Sequence, residues 1–128
     1  MLKKIFLAAA IIWTGIILFF CLENAKNIPQ IDIQNIDKVI HAFFHFVFTT
    51  LWFLFLKKKL NSSNSFKPLA LAFVFSFFLG IVIELMQQFF TTTRTADVFD
   101  VLANLSGATL AIIAIVLLNT YNRIIDKI

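Results

Sequence analysis

The chain has 128 residues, of which 60% are hydrophobic, seventeen are Phe and only 14% are charged, with a mean hydropathy of +0.90. That balance excludes an ordinary soluble domain. The net charge of +4 does not mark a nucleic-acid binder either, because the lysines sit at chain ends and in loops instead of clustering on a folded face.

The first apolar run covers residues 5–22 and follows Lys3 and Lys4. It resembles a secretory signal in outline. It is longer than the roughly 7 to 15 residues of a signal core, however, and Phe19, Phe20, Cys21 and Leu22 lack the small residues of a cleavage site, so a retained membrane helix is expected. Cys21, with no small residue beside it and no second Cys in the chain, reads as a packing residue and not as a lipidation or disulfide site. Residues 23–38 form a polar connection containing Pro29, and its spaced Ile28, Ile31, Ile33 and Ile36 suit either a segment lying on the protein or a loose loop.

The second run, residues 39–56, ends in Lys57, Lys58 and Lys59, and a Ser- and Asn-rich flexible loop follows. The third run covers residues 68–90. Only residues 91–97 separate it from the fourth, residues 98–118, so these two helices are expected to be antiparallel neighbours. Ala103, Ser106, Gly107, Ala108 and Ala111 give the fourth helix a small-residue stripe for close packing. Each run has about 18 residues or more, enough at about 1.5 Å per residue to cross or nearly cross a hydrocarbon layer of about 30 Å. The expected fold is an all-α integral membrane bundle of four transmembrane helices in one domain, residues 1–128.

Lysine and arginine placement predicts the orientation. Lys3, Lys4, Lys57, Lys58, Lys59, Lys67, Arg123 and Lys127 fall on one side, and only Lys26, Lys38 and Arg94 on the other. The positive-inside rule places both termini in the cytoplasm. The second helix then begins, the third ends and the fourth begins at the outward side.

Polar residues gather at that end. Asp37, His41 and His45 recur every four residues and share one helix face. Glu84 lies about 9 Å inside the third helix, with Gln87 and Gln88 above it. Asp97, Asp100 and Asn104 share a face at the start of the fourth. Ionisable groups within membrane spans are expensive unless they pair or line a site. The spacing predicts an outward polar pocket of Asp37, His41, Glu84, Arg94, Asp100 and Asn104, with Lys38, Gln87 and Asp97 as secondary members. In it Arg94, or alternatively Lys38, pairs with Glu84, and Asp37 orients the His41 imidazole.

Plainer roles compete. Asp97 suits a helix cap. Asn104 and Gln88 suit interhelical hydrogen bonds, and Trp13 and Trp52 suit packing or the lipid surface. His41, Glu84, Asp97 and Asp100 have the donor types of a zinc or manganese site, but no H-E-x-x-H or Cys/His pair is present, and no metal or cofactor is assigned. Carboxylates with a His suit general acid–base work as well as binding, while a nucleophile is wanting: Cys21 is on another helix and Ser106 lies deep without a base.

The run Asp37-Lys38-Val39-Ile40-His41, then Glu84-Leu85-Met86-Gln87, then Arg94, Asp97 and Asp100-Val101-Leu102-Ala103-Asn104-Leu105-Ser106-Gly107, resembles the VanZ-like family over about residues 37–111. His45 stands where members often have Tyr, Thr91-Thr92-Thr93 replaces a Pro-containing approach to Arg94, and Ala111 takes a place often held by Gly. The resemblance implies a multi-pass protein of the bacterial cytoplasmic membrane, whose namesake is linked to low-level resistance to the glycopeptide teicoplanin. The combined expectation is a protein of the lipid bilayer that binds or modifies an amphiphilic cell-envelope molecule, such as a lipid-linked glycan or lipoglycopeptide. The alternatives are a non-catalytic assembly partner, in which a homo-oligomer is compatible with the sequence, and, less favoured, a proton-coupled transporter.

Overall fold

A computed structural model describes residues 1–23, 35–61, 65–93 and 95–122, and these contain four helices. They are α1 (Leu2–Leu22), α2 (Ile36–Leu60), α3 (Phe66–Phe90) and α4 (Val98–Asn122), with no strand among the described residues. All four are long and apolar enough to span a membrane. Except at the start of α4 and the end of α1 and α3, the helices run two to four residues past the apolar runs that announce them. Lysine is a good helix former, so Lys3, Lys4, Lys57, Lys58 and Lys59 extend the helices where the apolar run has stopped. Asn61 ends α2 in the left-handed region at φ 48°, which Asn tolerates better than most residues. Pro68 falls within the first turn of α3, where its missing N–H costs nothing.

Helix α2 is central, packing against α1, α3 and α4; α3 also touches α1 and α4, whereas α1 does not reach α4 among the described residues. Only a minority of each span is buried, most in α2, so the broad outer surface of Phe, Ile, Leu and Val side chains is left for lipid. Two apolar clusters fill the interior. One is built on Phe53, Phe55, Leu56, Ala72 and Ile115, the other on Ile17, Cys21, Phe48 and Ile83.

The α2–α4 contact is the most extensive among the described residues. A Cβ placed on Gly107 would lie 1.9 Å from the Ala42 carbonyl oxygen, so the two backbones touch directly. Gly107, Ala108 and Ala111 of the expected small-residue stripe are buried, while Ser106 is exposed and donates to its own helix at Leu102 O.

Polar side chains cross-link the helices within the bundle. Trp13 Nε1 donates to Phe44 O at 2.9 Å, joining α1 to α2, and Trp52 Nε1 donates to Thr14 Oγ1 at 3.3 Å. Both tryptophans therefore lock helices together in addition to packing. Gln87 Nε2 donates to Cys21 O at 2.8 Å, joining α3 to α1.

Candidate functional site

The start of α2, the end of α3 and the start of α4 lie at one end of the bundle and bring polar residues from three helices together. Lys38 is the hub. Its ammonium donates to Asp37 Oδ2 at 3.0 Å, to Asp97 Oδ2 at 2.7 Å and to Asp100 Oδ1, so it ties α2 to the first turn of α4. The Asp37 side chain is 60% exposed and the Asp100 side chain 11%, which makes Asp100 the partner with most to lose from an unpaired charge.

His41 sits one turn below. With an amide oxygen as acceptor, its Nδ1–H donates to Asn104 Oδ1 at 3.3 Å, and Nε2 lies 3.7 Å from Asp100 Oδ2. The geometry corrects one expectation: Asp37 engages Lys38, and the partners of the His41 imidazole are Asn104 and Asp100 on α4. A carboxylate four residues earlier on the same helix competes for the nearer lysine ammonium and wins it.

Glu84 is 5% exposed. Its Oε2 accepts the Asp97 backbone N–H at 2.8 Å, while its Oε1 is buried without a hydrogen-bond partner. The expected partner Arg94 lies outside the described residues. Asp97 in turn accepts the Phe99 N–H at 2.9 Å through Oδ1, so it caps α4 and holds Lys38 at the same time. The Lys38 ammonium first, and the Phe99 N–H next, hold the Asp97 carboxyl below its ordinary value. Gln88 Oε1 accepts the Ala96 N–H at 3.1 Å, giving the short α3–α4 connection a second tie.

Asn104, 2% exposed, keeps Nδ2 unpartnered, and a Cβ on Gly80 would lie 2.9 Å from that nitrogen. Gly80 thus makes room for the Asn104 amide. His45, a further turn down, does not join the cluster: its Nδ1 shares a 2.7 Å hydrogen bond with Ser76 Oγ of α3. Gln87 also turns away, towards α1. Sequence spacing missed both contacts, since an i, i+4 pattern gives the face of a residue but not the helix opposite it.

The arrangement therefore unites Asp37, Lys38, His41, Glu84, Asp97, Asp100 and Asn104. A separate groove of about 210 Å³, lined by Thr14, Phe48, Trp52, Phe75 and Phe78 among others, is apolar and contains none of them.

The VanZ/LLP1 family model matches residues 6–119, nearly the whole chain. The protein belongs to the VanZ/LLP1 family. The matched region contains every member of the cluster, all of α2 and α3 and most of α1 and α4, and with the four apolar spans it makes this a multi-pass membrane protein of that family, with the lipid bilayer as its surroundings. No match is found among curated proteins or among solved structures.

Proposed function

We propose that this chain is a single-domain VanZ-like protein of the bacterial cytoplasmic membrane, with both termini cytoplasmic, whose outward polar end binds the head group of an amphiphilic cell-envelope molecule. A lipid-linked glycan or lipoglycopeptide is the class to test, with a change in glycopeptide or teicoplanin sensitivity as the phenotype. The observation that carries this reading is the buried, unfilled hydrogen-bonding capacity of Glu84 Oε1 and Asn104 Nδ2 beside a charged cluster. Buried polar atoms are normally satisfied, and leaving one unpaired costs about 1–3 kcal/mol. A hydroxyl or amide of a bound glycan would satisfy both. Asp37, exposed at the mouth, and Lys38 supply charges for the polar head, while the exposed apolar helix faces leave its chains in lipid. Arg94, which follows the α3 sequence by four residues, belongs to the same reading as a further cation.

The test compares cells that lack the protein or carry wild type, Glu84→Gln or Asn104→Leu, with membrane abundance measured alongside lipid-linked precursor profiles and glycopeptide susceptibility. Normal abundance with a null envelope profile is the expected result. Wild-type profiles from both variants would refute the reading.

A second reading has its own observation. Lys38 bridges α2 to Asp97 and Asp100 of α4, so part of the cluster clamps the bundle, as an assembly or accessory protein requires. On that reading Lys38→Met lowers abundance or alters the detergent-solubilised size of a complex, and the envelope changes follow abundance alone.

A further inference from the structure

His41, Glu84 and Asp100 come from three different helices, all three are buried, and one donor atom from each lies within 4.8 Å of the other two. Their remaining bonds leave donor capacity pointed at one another. Glu84 commits Oε2 to the Asp97 N–H and keeps Oε1 unpartnered. Asp100 commits Oδ1 to Lys38 and turns Oδ2 towards His41 Nε2. His41 gives Nδ1–H to Asn104 Oδ1, which leaves the lone pair of the neutral ring on Nε2. An imidazole held through its other nitrogen by an oxygen acceptor is the usual support behind a metal-bound histidine, because the bond fixes both tautomer and ring orientation. We propose that His41, Glu84 and Asp100 form a binding site for a divalent transition-metal ion of the zinc or manganese class, with Asn104 as the residue that positions the imidazole.

Charge points the same way. Among the described residues the cluster sets four carboxylates, Asp37, Glu84, Asp97 and Asp100, against the ammonium of Lys38. The Lys38 ammonium bonds Asp37, Asp97 and Asp100, and Glu84 Oε1 has no hydrogen-bond partner. A divalent ion among the three donors would offset the excess and satisfy that oxygen. The imidazole selects against magnesium and calcium, which prefer all-oxygen shells. At zinc–ligand distances of about 2.0–2.1 Å, tetrahedral donors stand about 3.3–3.5 Å apart, so the three groups need to close by little more than an ångström through side-chain rotation. Three protein donors leave a coordination position for water or an outside ligand, as in zinc sites that act on or hold a substrate.

The inference goes beyond the head-group reading, because with the ion in place the metal satisfies Glu84 Oε1 and a head group meets the open coordination position and Asn104 Nδ2 instead; it is tested on purified tag-free protein with no envelope molecule present. After chelator treatment and removal of the chelator, the detergent-solubilised protein is titrated with zinc against a fluorescent indicator. Wild type is expected to take up one equivalent. His41→Ala and Glu84→Gln should each weaken binding more than tenfold, and Asn104→Leu about 10- to 100-fold. Ser106→Ala, at an exposed position of α4 whose hydroxyl bonds its own helix at Leu102 O, should retain the wild-type stoichiometry. Because a cluster variant can fail to fold, wild type also carries a test of its own: X-ray absorption at the zinc edge should report one imidazole with oxygen ligands. Absence of stoichiometric zinc in wild type, unchanged affinity in both His41→Ala and Glu84→Gln, or a zinc shell without imidazole would each overturn the proposal. Bound zinc together with unaltered envelope profiles would refute the head-group reading and leave the metal site standing.

Discussion

Gly107→Ala tests the packing that brings the cluster together. The added methyl would meet Ala42 O at 1.9 Å, Ala42 C at 2.7 Å and Ala42 Cα at 2.9 Å, all backbone atoms that cannot rotate away. Ordinary contact between carbon and oxygen needs about 3.2 Å, so α2 and α4 must separate by about 1.3 Å at this point, and the dispersion contacts beside it weaken steeply with such a gap. Overpacking typically costs about 1–3 kcal/mol, and a clash with backbone belongs at the upper end; the better helix propensity of Ala returns about 1 kcal/mol at most. A net loss of about 2 kcal/mol is expected. Gly15→Ala is the control, since nothing lies within 4 Å of its Cβ, and it should be neutral or stabilising by up to about 1 kcal/mol. Both are measured by reversible denaturant unfolding in micelles followed by Trp fluorescence. Equal stability of the two variants would refute the argument that α2 and α4 meet through Gly107.

Lys38→Met should destabilise by about 3–5 kcal/mol because it strands the mostly buried Asp100 carboxylate, and adding Asp100→Asn should recover part of that loss, a coupling that a double-mutant unfolding cycle measures. Ser76→Ala leaves the buried His45 Nδ1 without its partner and should cost about 1–3 kcal/mol by the same unfolding assay. The Asp97 carboxyl is held below its ordinary value of 3.8 by Lys38 and the Phe99 N–H, so its stabilising contribution is complete above that pH and disappears as pH falls through the lower folded-state value. The stability gap between wild type and Asp97→Asn should therefore narrow below about pH 4, and a gap that widens on acidification would reverse the sign of this linkage.

The four helices were legible because membrane spans are announced by length and hydropathy, signals that tertiary packing does not override. The polar layer was legible for a related reason: Glu84 and Asp100 are too costly in apolar runs to be there by accident. Partner choice was harder to read. Lys38 ranked as secondary in sequence, yet it is the hub, because its reach across to Asp97 and Asp100 depends on how closely α2 and α4 approach at Gly107. The pairing of His41 with Asn104, and of Gln87 with the Cys21 carbonyl, likewise depends on which helix faces which. Helices α2 and α4 continue past their apolar runs, since hydropathy falls at the polar ends while helix propensity does not.

Glu84 accepts the Asp97 N–H, and Lys38 reaches two carboxylates on α4, so residues of α2 and α3 both find partners on the helix made last. During synthesis they precede those partners into the bilayer. An α1–α3 intermediate leaves Lys38 with Asp37 as its carboxylate partner and Glu84 without the Asp97 N–H, and α4 is the piece whose arrival completes both sets of bonds. A chain truncated before residue 97 should therefore reach lower membrane abundance than the full chain, and α4 supplied as a separate segment should restore it by docking at the same three-way junction.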